Sequence, residues 1–142
     1  MADGSVALVG ASLFASTIFI IILHAFEWFH IGTIPQTRIE NSRHAKCVRK
    51  LLILRGGLGV EMVYYFLLLI AFVVFFPGDL IFLTLIALLG LTHLVAFWAL
   101  MGQTASAWLQ KLTTRKVSKI LAFDIVELII LVALALQFYR FF

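Results

Sequence analysis

The sequence predicts an all-α integral membrane protein, a four-transmembrane-helix up-down bundle in a single domain spanning residues 1–142. Three observations predict it. Apolar residues make up 63% of the chain and charged residues only 13%, against about 25% charged in a soluble domain, so too few charges exist to build a water-facing surface. The apolar residues fall in long blocks, each of a length that crosses a hydrocarbon core of roughly 30 Å as a helix. The basic residues sit between those blocks, in two clusters.

The first span is expected at about residues 6–30. Ala7, Ala11 and Ala15 recur at i+4, a smooth stripe on which another helix can pack closely. No basic segment precedes this block, so it is expected to remain in the mature protein rather than act as a cleaved signal. Gly32 and Pro35 end it. Residues 36–50 form a polar, basic connection, and 43–54 has helical potential, which predicts a short interfacial helix leading into span two. Span two is expected at about 57–76. Gly56, Gly57 and Gly59 at its start allow a bend or close packing.

Phe76-Pro77-Gly78-Asp79 reads as a type II turn, with Pro at the second position and Gly at the third. It makes spans two and three an antiparallel hairpin. Span three is expected at about 80–101. A second basic connection follows, and Ser118 is the expected N-cap of span four, at about 118–138.

Ten of the eleven Lys and Arg residues lie within 38–55 and 111–119. Short basic connections mark the cytoplasmic side, which places both termini on the opposite face. Clustering in loops, with no recognition motif, also argues against a nucleic-acid partner despite a pI near 9.6. Trp28, Trp98 and Trp108 fall near the basic end, and Tyr139, Phe141 and Phe142 near the other, as two aromatic belts would. The multi-pass reading does not distinguish a plasma from an organelle membrane.

The lone cysteine, Cys47, excludes an internal disulfide. It is a native probe of orientation: an impermeant thiol reagent should fail to label intact cells and should label after lysis. Labelling before lysis would reverse the assigned topology.

Ionisable residues inside spans are costly, and each needs a partner or a purpose. Here they are His24, Glu27, Glu61, His93, Asp124 and Glu127. Counted from the basic ends at about 1.5 Å per residue, they lie between ~6 Å (Glu27) and ~14 Å (His93 and Glu127) inside. Alternate spans run in opposite directions, yet all six fall in one leaflet. His24 and Glu27 are i and i+3, as are Asp124 and Glu127, so each pair shares a helix face. Two carboxylates so placed in low dielectric resist joint ionisation, so a cation sits between them or one keeps its proton.

The functional expectation is a small membrane protein whose His/carboxylate cluster binds a cation, a proton or a redox cofactor, for transport or membrane redox chemistry. As a metal site the cluster comprises His24, Glu27, Glu61, His93, Asp124 and Glu127, donors suited to zinc, iron or manganese. Helical bundles bind two metals through carboxylates and Glu-x-x-His pairs; the order here is His-x-x-Glu, once, beside Asp-x-x-Glu. As a haem site it would use His24 and His93 as axial ligands. Against these stands a structural reading, in which Glu27 and Glu61 snorkel or pair with Arg55, and Asp124 pairs with Lys116 or Lys119. An accessory subunit of a larger membrane complex is the alternative function. The near absence of extramembrane mass favours partners beyond lipid, either other membrane subunits or a second copy. No phosphate-binding loop, Ser/His/Asp arrangement or CxxC is present.

Overall fold

The structure, a computed structural model, describes residues 2–32, 44–104, 107 and 114–140. It contains four long helices and, among the described residues, no strand. Helix α1 spans Ala2–Gly32, α2 His44–Phe75, α3 Leu80–Met101 and α4 Thr114–Tyr139. All four are long and apolar enough to cross a membrane.

Each helix buries a narrow stripe. On α1 the buried positions are Gly10, Thr17, Ile20, His24, Glu27 and Ile31, a 3–4 spacing that keeps one seam facing its neighbours. On α4 the same spacing runs through Val117, Glu127, Leu131, Leu134 and Phe138. The remaining surface is apolar and exposed, including Leu8, Phe29, Ile81 and Trp98 at 70% or more. Such a surface is stable in lipid and not in water.

Helix α1 packs against α2 and α4, and α2 packs against α3. The α3–α4 seam is the loosest join between neighbours.

Two apolar layers bracket the interior. Ile31, Leu51, Leu54 and Val117 form one, with Leu100 packed against it. Ile20, Tyr64, Tyr65, Leu68, Phe72, Ile86, Leu89, Leu131, Leu134 and Phe138 form the larger one. Every helix runs from one layer to the other, in alternating direction. Ala2, Phe75, Leu80 and Tyr139 therefore lie towards the larger layer's end, and Gly32, His44, Met101 and Thr114 towards the smaller layer's end.

Several local expectations need revision. The segment from His44 to Leu54 is not a separate interfacial helix; it continues unbroken into α2. Backbone hydrogen bonding is indifferent to the basic side chains that interrupt the hydropathy there. Arg55, just after that segment, donates to the Leu100 carbonyl at 2.6 Å and the Gln103 carbonyl at 2.5 Å. It thereby adds a side-chain donor to the Leu100 carbonyl, which also accepts from the Gln103 amide at 3.2 Å, at the α3 terminus where carbonyls run out of intrahelical partners.

Ser118 does not cap α4, which already begins at Thr114. The 76–79 turn does form, closed by the Asp79 amide donating to the Phe76 carbonyl at 3.1 Å. Gly78, however, lacks the positive φ that a type II turn demands. Asp79 caps α3, accepting from the Phe82 amide at 3.4 Å.

The alanine stripe does not pack within the chain. Ala7 and Ala15 are exposed and Ala11 is half-buried, because the seam through Thr17, His24 and Ile31 turns a different face of α1 inward. Trp108, Phe141, Phe142 and the Cys47 side chain lie outside the described residues.

Candidate functional site

Between the two apolar layers lies a polar one, and every helix contributes to it. Helix α1 supplies His24 and Glu27, α2 supplies Glu61, α3 supplies His93, and α4 supplies Asp124 and Glu127. All but Asp124 are buried, with Glu61 and Glu127 almost wholly so; the Asp124 side chain is 16% exposed. The structure thus brings together all six ionisable residues expected from the sequence. Each stands one or two helical turns from an apolar residue of the same stripe, so the packing that buries the stripe also buries them.

The contacts form a closed alternation. His24 Nδ1 lies 2.6 Å from Glu61 Oε1. Glu61 Oε2 lies 3.2 Å from His93 Nε2. His93 Nε2 is also 3.2 Å from Glu127 Oε1, and Glu127 Oε2 is 3.6 Å from His24 Nε2. Two imidazoles and two carboxylates therefore occupy alternate corners. Asp124 Oδ1 lies 3.9 Å from His24 Nε2, outside the ring.

The hydrogen bonds fix the imidazole tautomers. His93 Nδ1 faces the Leu89 carbonyl at 2.8 Å; a carbonyl only accepts, so Nδ1 carries the proton. His24 Nδ1 lies 2.6 Å from Glu61 Oε1 and donates to it where that carboxylate is ionised. In a neutral imidazole this leaves Nε2 as a bare lone pair, the form that binds metal, oriented by a partner on the opposite ring nitrogen.

Three buried atoms in this layer lack a hydrogen-bond partner: His24 Nε2, Glu27 Oε1 and Glu127 Oε2. Native proteins seldom leave such atoms unsatisfied, and clusters of them mark a place for water or an ion. Two sets of ligand atoms lie within 4.8 Å of one another, from His24, Asp124 and Glu127, and from His24, Glu27 and Glu61.

Two supporting features escape a reading of the sequence. The Tyr65 hydroxyl donates to Glu127 Oε1, and its ring lies 5.0 Å from that of His93. Tyr65 is four residues after Glu61, hence on its face of α2, and that spacing was the available signal. The second is Gly57. A Cβ there would overlap the Glu27 carboxyl, so this glycine makes room on α2 for a side chain of α1. The Tyr64 hydroxyl lies 2.7 Å from that of Thr17, which itself donates to the Leu13 carbonyl at 2.6 Å.

Among the described residues, the ion pairs of Glu61 and Asp124 are with imidazoles and not with Arg55 or Lys119. Arg55 is engaged by carbonyls of the α3 terminus. Lys119 lines the mouth of a cavity of about 320 Å³ whose floor is His24, Glu27, Glu61 and His93. At that mouth Thr92 of α3 and Lys119, Ile120 and Phe123 of α4 are exposed, so the cavity opens sideways through the loose seam. Glu61 contacts both imidazoles, at His24 Nδ1 and at His93 Nε2. Compared with known protein families, with curated proteins and with solved structures, the chain matches none.

Proposed function

We propose that this chain is an integral membrane metalloprotein. It holds a divalent transition-metal ion in its polar layer, where the ion performs redox or Lewis-acid chemistry on a small lipid-soluble molecule. The observation that carries this reading is His24. Its Nδ1 is committed to Glu61 at 2.6 Å, while its Nε2 is buried and unpartnered. The nearest carboxylate oxygens stand at 3.6 and 3.9 Å, too far for hydrogen bonds and correctly disposed to close on an ion with ligand bonds of roughly 2 Å.

His24, Asp124 and Glu127 would hold the ion. Their nitrogen and carboxylate donors, without a thiolate, suit zinc, iron or manganese. The bound ion would supply Lewis acidity or, if iron or manganese, redox chemistry. Tyr65 orients the Glu127 carboxylate and Glu61 orients the His24 ring. The larger apolar layer closes the bundle towards the chain termini, which favours chemistry at a fixed site over passage of the ion across the membrane. The lateral mouth between α3 and α4 gives a lipid-soluble molecule a way in, and the apolar walls formed by Leu54, Leu58, Ala96 and Phe123 suit its body. The accessory-subunit reading has the acids facing a neighbour, whereas five of these six residues are buried within the chain. The basic residues of the two connections support a cytoplasmic position for the smaller apolar layer.

Cobalt tests the site. Chelator-stripped protein in mild detergent should develop visible ligand-field bands as Co(II) is added, and His24→Gln should lack them at equal helicity. Unaltered bands in that variant would remove His24 from the site.

A further inference from the structure

We propose that the polar layer is a two-ion centre, with a second divalent cation held by His93, Glu61 and Glu127 beside the first. This rests on the metal reading above and deepens it.

Charge carries the first part of the argument. Glu27, Glu61, Asp124 and Glu127 bring four carboxylates into one layer that is otherwise enclosed by apolar side chains. With both imidazoles neutral and all four carboxylates ionised, a single divalent ion leaves two negative charges unbalanced in a low dielectric, and two ions leave none. Arg55 is taken up by the carbonyls of the α3 terminus, and Lys119 is exposed at the cavity mouth. Neither supplies the balance.

Geometry carries the second part. The two imidazoles each present an Nε2 with the opposite nitrogen engaged, and the two nitrogens address different oxygens of one carboxylate. Glu127 Oε2 stands 3.6 Å from His24 Nε2, and Glu127 Oε1 stands 3.2 Å from His93 Nε2. A carboxylate so placed bridges two ions, one oxygen to each. Glu61 completes the second position, with Oε2 at 3.2 Å from His93 Nε2. Asp124 completes the first, and the unpartnered, buried Glu27 Oε1 is a spare terminal donor on the cavity floor. Two histidines with four carboxylates, drawn from all four helices, is the donor count that helical bundles use for paired ions.

Equilibrium dialysis of the intact chain against Mn(II) alone tests the proposal. The expected result is two ions per chain, with an electron-paramagnetic-resonance signal broadened by coupling between ions about 3.5–4 Å apart. His93→Gln and Asp124→Asn should each fall to one ion, with the uncoupled signal of isolated Mn(II). One ion per unmutated chain would overturn the second position and leave the metal reading standing; two ions without coupling would overturn the bridge. No binding at all, by a protein of unchanged helicity, would overturn both. The coupling measurement needs no variant, so a misfolded variant does not spoil the test.

Discussion

Glu127→Gln should abolish tight metal binding while leaving the bundle folded. Glu127 has no exposed surface and meets both imidazoles of the polar layer. Its two oxygens face His24 and His93, and one accepts the Tyr65 hydroxyl. Glutamine keeps the shape, and its amide oxygen can still accept from Tyr65. It removes the charge and one of the two lone-pair oxygens that a cation needs. Changes outside the ligand set of a metal site commonly cost 10–100-fold in affinity, so loss of a central ligand should exceed about 100-fold. Folding should be spared, because removing a buried charge with no cation present relieves a desolvation cost. Titration with Co(II) beside a helicity measurement checks both halves. An unchanged Kd would show that Glu127 is not a ligand, and lost helicity would show that its charge is structural.

Phe72→Ala should be among the most destabilising single changes in the larger apolar layer. Phe72 is buried at the centre of an aromatic group, with ring centroids 5.3 Å from Phe76, 5.8 Å from Phe138 and 6.3 Å from Phe82. It ties α2 to α3, to α4 and to the intervening turn. Phe→Ala in a packed core costs about 3–5 kcal/mol. Lipid is already apolar, so the transfer share shrinks and packing dominates; about 3 kcal/mol is expected here, roughly a hundredfold in the folded-to-unfolded ratio. Its neighbour Val73 points outward, 56% exposed, and Val73→Ala should cost under about 1 kcal/mol. Reversible unfolding in mixed micelles would compare the two. Equal losses would contradict the assignment of an inner and an outer face to α2.

The four spans were legible because their signal is additive: hydropathy summed over some twenty residues outweighs any single exception. The start of α2 was not, because Arg49, Lys50 and Arg55 dilute that sum without weakening a helix. Arg55 finds its partners in the carbonyls of α3, forty-five residues and more away, which no local window registers. The alanine stripe misled for a related reason. Small residues permit close packing, but the deciding matter was the face on which Thr17, His24 and Ile31 fall.

The site was legible in its membership, since a charge inside a span stands out against the surrounding cost. Its wiring was not. Depth counted from Gly56 placed Glu61 in the correct layer even though α2 begins at His44, because the apolar boundary, and not the helix end, sets depth. Tyr65 carried no expectation, and only the fold shows its hydroxyl on Glu127. Gly57 read as a place for a bend or for close packing, and close packing is what it serves, giving the space that Glu27 occupies.

The central claim is that the polar layer holds metal, and elemental analysis of the native chain tests it most directly. Protein extracted from its membrane in mild detergent, without chelator, should carry zinc, iron or manganese at one ion per chain or more. The Glu127→Gln protein, purified in parallel, should carry almost none. Folded, unmutated protein that arrives metal-free and stays so when offered all three ions would contradict the account.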